Sequence, residues 1–429
     1  MEIHIVAPGD TLFSLEREYG VAMSLIALDN GLDPAEALVP GQALVIRFPR
    51  ITHTVQSGDT LSSIARQYGV SLRVLYRNNP ALGGRDLVWP GQTLVISYEQ
   101  RPGPPIQTNA YAYPSIGDDL LFSTLPFLTY LTPFTYGFTP TGDLVVPNDG
   151  RLIAAALSIG TAPLMHLSTL TEDGGFSNEL AHLVLNNSSL RATLIGNITA
   201  ALRSKGYRGL DVDFEYVYAE DAQAYANFLG ELTRTLNPLG YPVIAALAPK
   251  TSADQPGDLY EGHNFAAIGA AVNQVLLMTY EWGYIYGPPM AVAPLPNVRQ
   301  VVEYALTEIP AGKIWLGVPN YGYDWPLPFV QGETKATSIS SQQAVALARR
   351  YGVSIQYDAR AQSPWFRYRD EGGREHEVWF EDARSIRAKL ALIPEYGLVG
   401  AGYWNLMREF PQNWVVLDSL YRIESAAEL

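Results

Sequence analysis

The residues best suited to chemistry are three acids in one stretch, Gly209-Leu210-Asp211-Val212-Asp213-Phe214-Glu215-Tyr216-Val217. Apolar and acidic side chains alternate strictly. Residues two apart in a β-strand share a face, so Asp211, Asp213 and Glu215 would line one face and Leu210, Val212 and Phe214 the other. Carboxylates held side by side cannot all ionise cheaply. At least one pKa must rise, and a carboxyl group that keeps its proton at neutral pH is a proton donor. The plainer readings are a solvated strand face or a metal-binding acid cluster. Against them, a solvated acidic face repels itself without reward, and no histidine is close in sequence.

The elements that must position these acids begin near residue 106. Strand-like runs Thr108–Tyr113, Phe134–Phe138, Leu164–Ser168, Gly209–Val217, Val243–Ala248, Val275–Tyr280, Ile314–Val318 and Leu398–Tyr403 alternate with helical stretches such as Ser189–Ser204, Glu220–Leu236, Phe265–Ala271 and Val298–Glu308. Eight strands with intervening helices predict an α/β fold, a (β/α)8 TIM barrel over residues 107–425. The seventh-to-eighth interval is too long for one helix and predicts a small α+β insertion at about 326–388. Barrel chemistry sits at the C-terminal ends of the strands. Glu215 is then nearest the mouth of the fourth strand, with Asp213 and Asp211 successively deeper.

Position alone adds candidates. Asn320, Tyr321, Tyr323 and Asp324 follow the seventh strand, Asn109 and Tyr111 lie on the first, and Tyr136 on the second. Each could face substrate or belong to a satisfied core network. His166, on the third strand, reads as a packed, hydrogen-bonded histidine. The six histidines are scattered without ligand spacing, so no metal site is expected. Asp173-Gly174-Gly175 lacks the order and the lysine of a phosphate loop and reads as a turn. No cofactor is expected.

The first hundred residues repeat. His4-Ile5-Val6-Ala7-Pro8-Gly9-Asp10-Thr11-Leu12 recurs as His53-Thr54-Val55-Gln56-Ser57-Gly58-Asp59-Thr60-Leu61, and Val39-Pro40-Gly41-Gln42 as Trp89-Pro90-Gly91-Gln92. Each copy, residues 2–48 and 51–98, reads strand, helix, helix, strand. Asp10 or Thr11, and Asp59 or Thr60, are suitable helix caps, and the Pro-Gly pairs are turns. The stripes in Leu12–Tyr19 and Leu61–Tyr68 read as module core. A stiff Pro/Gly linker, 99–106, contains Arg101-Pro102-Gly103-Pro104-Pro105.

Composition narrows the partners. The formal net charge is -14, which makes nucleic acid and anionic membrane unfavourable. With 26 tyrosines, ring faces with polar tips are abundant, and these suit sugars. There is no cysteine, which excludes disulfides and thiolate chemistry. No apolar run approaches the roughly 18–20 residues of a membrane span. Met1-Glu2-Ile3-His4 opens without a basic region or an apolar signal core, so conventional secretion is not expected. A monomer is expected.

If the barrel cleaves sugars, Glu215 is the natural proton donor. Asp213, one inward position deeper, is badly placed as an opposing nucleophile. A 2-acetamido sugar offers another route, attack by its own acetamido oxygen, with Asp213 orienting the amide N–H and Asp211 coupled to Asp213.

Two resemblances follow from these motifs. The N-terminal copies resemble LysM modules, through Gly-Asp-Thr-Leu, the asparagine at Asn30 or Asn79, and Pro-Gly-Gln in order. The resemblance implies βααβ modules that bind polymers containing N-acetylglucosamine, peptidoglycan or chitin. Their grooves would be formed by Gly9, Asp10 and Thr11 with Leu38-Val39-Pro40, and by Gly58, Asp59 and Thr60 with Val88-Trp89-Pro90. Gly209–Glu215 resembles the signature of glycoside hydrolase family 18, whose catalysis is substrate-assisted. Met278-Thr279-Tyr280-Glu281-Trp282 resembles the family's sixth-strand segment. That implies that Tyr280 hydrogen-bonds the acetamido carbonyl and that the acid at Glu281 contacts Asp213 and the sugar. Tyr403-Trp404-Asn405 resembles its eighth-strand end and implies that Trp404 floors the cleaved-sugar subsite. Val378–Ile386 resembles the segment that closes the insertion. Two positions depart: Arg208 stands where the long signature begins with aspartate, and Glu281 where the family has aspartate. The departures and the domain order resemble a subgroup, the tandem-LysM spore cortex-lytic N-acetylglucosaminidases of endospore formers. The implied substrate is cortex peptidoglycan, and the implied location the spore, in its cortex or coat region; the alternatives are a hydrolase of chitin or its oligomers and an inactive glycan-binding protein, against which the acid at Glu215 argues.

Overall fold

The computed structural model describes residues 1–99, 103–171 and 174–428. Arg101 and Pro102 of the linker, and Asp173 of the glycine turn, lie outside the described residues. Each N-terminal module is two short helices against a two-stranded antiparallel sheet. In the first, Glu2–Ile5 pairs with Ala43–Ile46; in the second, Pro49–Thr54 pairs with Thr93–Tyr98. Thr11 and Thr60 cap the first helix of each module, in capping boxes with Ser14 and Ser63. Gly20 and Gly69 end those helices in the left-handed conformation (φ 66° and 67°). Asp10 and Asp59 do not cap. Each accepts instead from a backbone N–H and pairs with a histidine, His4 at 3.0 Å and His53 at 2.9 Å. Leu12 and Leu15, and Leu61, Ile64 and Ala65, fill the module cores.

The barrel strands are β1 (Pro105–Ala112), β2 (Tyr130–Pro133), β3 (Met165–Ser168), β4 (Leu210–Asp213), β5 (Val243–Leu247), β6 (Gln274–Leu277), β7 (Ile314–Pro319) and β8 (Gly400–Trp404). They are parallel, and β8 pairs with β1. The third position is split. Ala162–Pro163 pairs with β2 while β3 pairs with β4, and a parallel bridge from Tyr136 to Leu167 helps to close the ring. The strict alternation in β4 sends Leu210, Val212 and the following Phe214 outward. There Phe214 stacks on Tyr225 (5.5 Å), in the helix Ala222–Leu236. Asp211 and Asp213 point inward.

The second strand differs from the expected Phe134–Phe138. It ends at Pro133, which has no N–H to extend the ladder. Gly137–Phe138 then turns into a hairpin with Leu144–Val145, and the Tyr136 side chain leaves the cleft. Its hydroxyl donates to Asp149 (2.5 Å), which also accepts from Tyr207 (2.6 Å) and Lys205 (2.7 Å). Asp149 is 2% exposed. Removing one member of a buried ionic network leaves the others without partners. We expect Asp149→Ala to lower stability by about 3 kcal/mol in denaturant unfolding.

Between β7 and β8 sits a five-stranded antiparallel sheet ordered Thr337–Ile339, Gly322–Pro326, Glu375–Trp379, Ser363–Arg369, Gln356–Asp358. The helix Ser341–Arg350 packs on it through Ala344 and Ala348. The sheet begins at Gly322, so Tyr323 and Asp324, read as cleft residues, belong to it. Asp324 accepts from Tyr368 (2.7 Å) and pairs with His376 (2.8 Å). Asn109 is likewise internal and accepts from Thr132.

Candidate active site

The cleft opens at the C-terminal ends of the strands as a cavity of about 540 Å³, lined among others by Tyr111, Asp213, Glu215, Met278, Tyr280, Glu281 and Trp404. The strand supplying the acids stops at Asp213. Glu215 lies two residues beyond it, at the mouth, still on the cleft side.

The acids form a graded series. Asp211 is fully buried; its Oδ2 accepts from Tyr111 (2.7 Å), while Oδ1 has no partner among the described residues. Burial pushes its pKa up to about 6, with Asp213 adding to the rise and His166 and Tyr111 opposing it. Asp213 is 8% exposed, its Oδ1 has no partner among the described residues, and its Oδ2 lies 3.5 Å from His166 Nε2. Glu215 is half-buried. Burial, then the charges of Asp213 and Glu281, raise its pKa to about 8. At neutral pH it therefore keeps its proton, as a donor must.

Two histidines far away in sequence support this row. His166 stands beside Asp211 in the β3–β4 register and is hydrogen-bonded through Nδ1 to Thr135 (2.6 Å). His263 is fully buried: Nδ1 accepts from the Ala248 N–H (3.0 Å), so Nε2 carries the hydrogen and donates to the Phe214 carbonyl (2.9 Å). That bond fixes the backbone between Asp213 and Glu215. Burial lowers the His263 pKa, in keeping with a neutral ring. A sequence window shows neither contact, because each partner comes from a different strand or loop.

Opposite the acids, Tyr280 is 7% exposed and its phenol pKa lies well above the ordinary value, through burial and the charges of Asp213, Glu215, Glu281 and Asp211. It stays a neutral O–H donor. Gly317 makes room for it. A Cβ there would sit 2.2 Å from the Leu277 carbonyl and 3.0 Å from the Tyr280 ring. Trp404 is framed by Phe134 (5.1 Å), Tyr111 (5.5 Å) and Tyr113 (6.2 Å).

Asn320 and Tyr321 stand behind the cavity wall. Asn320 is 1% exposed, and its backbone N–H donates to the Trp404 carbonyl (3.1 Å). The hydroxyls of Tyr321 and Tyr323 donate to Glu281, the latter at 3.0 Å. Glu281 has a left-handed backbone (φ 64°), uncommon for a residue with a side chain. Burial of its carboxylate raises its pKa and the two tyrosines oppose the rise. Sequence reasoning missed Tyr216, Tyr260 and Tyr284, which also line the cleft; Tyr260 and Tyr284 lie in loops without periodicity, and Tyr216 has the outward parity of a strand that in fact stops at Asp213.

In the modules, Gly9, Thr11, Gly58, Thr60 and Pro90 are exposed, and Asp10 and Asp59 partly so. Pro40 is not open. Its carbonyl accepts from the Ile355 N–H (2.9 Å) of the inserted sheet region.

Similarity to known proteins agrees with this geometry. Residues 4–47 and 53–97 each match the LysM domain. The chain is 42% identical over 429 residues to the cortical fragment-lytic enzyme of Bacillus subtilis (strain 168), covering 99% of both chains. The crystal structure of the Bacillus cereus spore cortex-lytic enzyme SleL superposes with a TM-score of 0.84 at 39% identity, covering 99% of both. A chitinase from Chromobacterium violaceum superposes with a TM-score of 0.69 at 27% identity, covering 73% of this chain and 98% of the other. Residues 132–409 match Glycosyl hydrolases family 18, and with the acid row at the mouth of such a barrel, the chain belongs to that family of glycoside hydrolases.

Proposed function

We propose that this hydrolase cleaves N-acetylglucosaminyl β-1,4 bonds in spore cortex peptidoglycan of an endospore-forming bacterium, with retention and with help from the substrate's acetamido group. The observation that carries the reading is the pair at the cleft: a carboxyl group that holds its proton at neutral pH, Glu215, above a buried carboxyl group, Asp213, with one oxygen unpartnered among the described residues. Glu215 protonates the glycosidic oxygen as the bond to C1 breaks. The acetamido carbonyl oxygen attacks C1 and closes a ring, while Asp213 accepts a hydrogen bond from the amide N–H and Tyr280 donates to the amide oxygen. Glu215, now a carboxylate, takes a proton from water, which adds to C1 on the face the leaving group left as the ring's C1–O bond breaks and the acetamido group is restored. Trp404 floors the sugar. Asp211, held by Tyr111, lies one position deeper behind Asp213, and the charges of Asp213 and Glu281 add to burial in keeping Glu215 protonated. The relatives' names support cortex fragments as substrate, and the LysM modules add a hold on insoluble polymer.

The chitinase likeness supports a second substrate, chitin oligomers. Turnover on both, with product masses, separates them. Cortex fragments should be cut to products with N-acetylglucosamine at the new reducing end, and faster than chitin oligomers; the reverse order would overturn the reading.

The pH profile follows from the site. The acid form of Glu215 is lost as pH rises through about 8, so kcat/KM should fall on the alkaline side there. The Glu281 charge contributes to that raised value. Glu281→Gln removes it, so the alkaline limb should move to lower pH, read from kcat/KM profiles of both proteins.

A further inference from the structure

The two modules share a turn but not its surroundings. Pro40-Gly41 and Pro90-Gly91 are equivalent, with glycine φ of 84° and 88°. Around Gly91 a Cβ would meet nothing within 4 Å among the described residues; at Gly41 it would sit 1.9 Å from the Ile355 carbonyl. The preceding residue gives the sharper contrast. Val39 is 2% exposed and belongs to the core of the inserted sheet, with Ile339, Ile355 and Phe366. Trp89, at the same place in the second module, is 64% exposed, and Leu87 beside it 58%.

The first module's turn is also held through its carbonyls. Ala37 accepts from Arg349 (2.8 Å), Pro40 from Ile355 (2.9 Å) and Gly41 from Arg384 (3.1 Å), while Glu36 pairs with Arg349. The second module attaches by another face. Arg73, on its second helix, donates to carbonyls of Pro126, Leu128 and Gly160, and Gly84 abuts Phe122. Its Trp89-Pro90-Gly91 turn is left clear.

We infer that the modules have divided tasks: the second captures the glycan, stacking a sugar on Trp89, and the first is a bracket whose groove wall is used to hold the catalytic domain. The inference rests on the reading of the modules as holders of glycan containing N-acetylglucosamine. A groove needs two walls. In the first module the Gly9–Thr11 side stays open, with Phe13 62% exposed beside it, but on the facing wall Val39 is buried in the insertion's core and the Pro40 carbonyl is taken by Ile355. In the second module both walls reach solvent, and one carries an indole, a flat apolar face of the kind that sugar rings cover.

The test uses the full-length protein. Binding to purified insoluble peptidoglycan is measured by co-sedimentation at 4 °C, with hydroxyl-radical footprinting of the bound form to read each module apart from the cleft. We expect Trp89 to be protected and Phe13 not. Trp89→Ala should weaken binding about tenfold, the loss of one stacked ring, and Phe13→Ala by less than about twofold. Arg349→Ala should lower the melting midpoint while leaving binding in place. If wild type binds but Trp89 is unprotected, or Phe13 is protected and equally costly to remove, the division of tasks is wrong. If wild type does not bind and neither module is protected, the glycan-holding reading fails, and the division with it.

Discussion

Glu215→Gln should lose at least about a thousandfold in kcat/KM on cortex fragments while still binding them. Positioned acid–base groups contribute about 10²–10⁴-fold, and this one serves both half-reactions. The amide keeps the size and most contacts of the side chain but cannot donate a titratable proton or accept one from water. The same substitution should stabilise the fold in a pH-dependent way. The Glu215 pKa rises from its ordinary 4.5 to about 8 on folding. Below the ordinary value both folded and unfolded chains hold the proton, and folding carries no penalty. As pH rises toward 8 the unfolded chain releases its proton and the folded one does not, so stability is lost. Glutamine does not titrate. Unfolding should therefore match wild type near pH 4 and exceed it by about 1–3 kcal/mol near pH 8, after allowance for partial exposure. Equal activity in the two proteins would sink the assignment of Glu215.

The second large effect belongs to Asp213. Its buried Oδ1, without a partner among the described residues, is the acceptor we propose for the amide N–H. Asp213→Asn keeps the shape but replaces a charged acceptor by a neutral one and removes the negative charge beside a developing positive centre. We expect a loss of about 10²–10³-fold in kcat. The loss should shrink toward unity for a substrate analogue whose 2-acetamido group is replaced by hydroxyl, because wild type is already slow there. If both substrates suffer equally, Asp213 does not act through the acetamido group. The variant also removes one charge that raises Glu215, so its alkaline limb should fall below that of wild type.

The inward-facing acids and the paired modules were legible because both are local patterns: period two in one strand, and one motif written twice. The fourth strand's outward face was equally clear, since Leu210, Val212 and Phe214 meet the helix side as alternation demands. The second strand slipped by four residues because nothing local distinguishes Tyr130–Pro133 from the apolar run that follows; pairing with β1 decides it. Asn320 and Tyr321 looked like cleft residues and turned out to brace Trp404 and Glu281. Sequence order places a residue at a strand end but not the direction of its side chain once the next strand begins at Gly322. Pro40 and Pro90 are identical in motif. Contacts with residues more than 300 positions later, Ile355 (315 beyond Pro40) with Arg349 and Arg384, make their surroundings differ.

The pairing of β8 with β1 joins Gly400–Tyr403 to Gln107–Ala110, and the tail beyond, Arg422–Ile423, lies along Pro105–Ile106. A chain leaving the ribosome can complete both small modules from its first hundred residues, while the ring must wait for nearly the last. Val39 then emerges long before Ile339, Ile355 and Phe366 exist to cover it. The order of synthesis thus leaves a greasy knob waiting for its socket, and the interval is when a newborn chain is most exposed to mispairing with another copy.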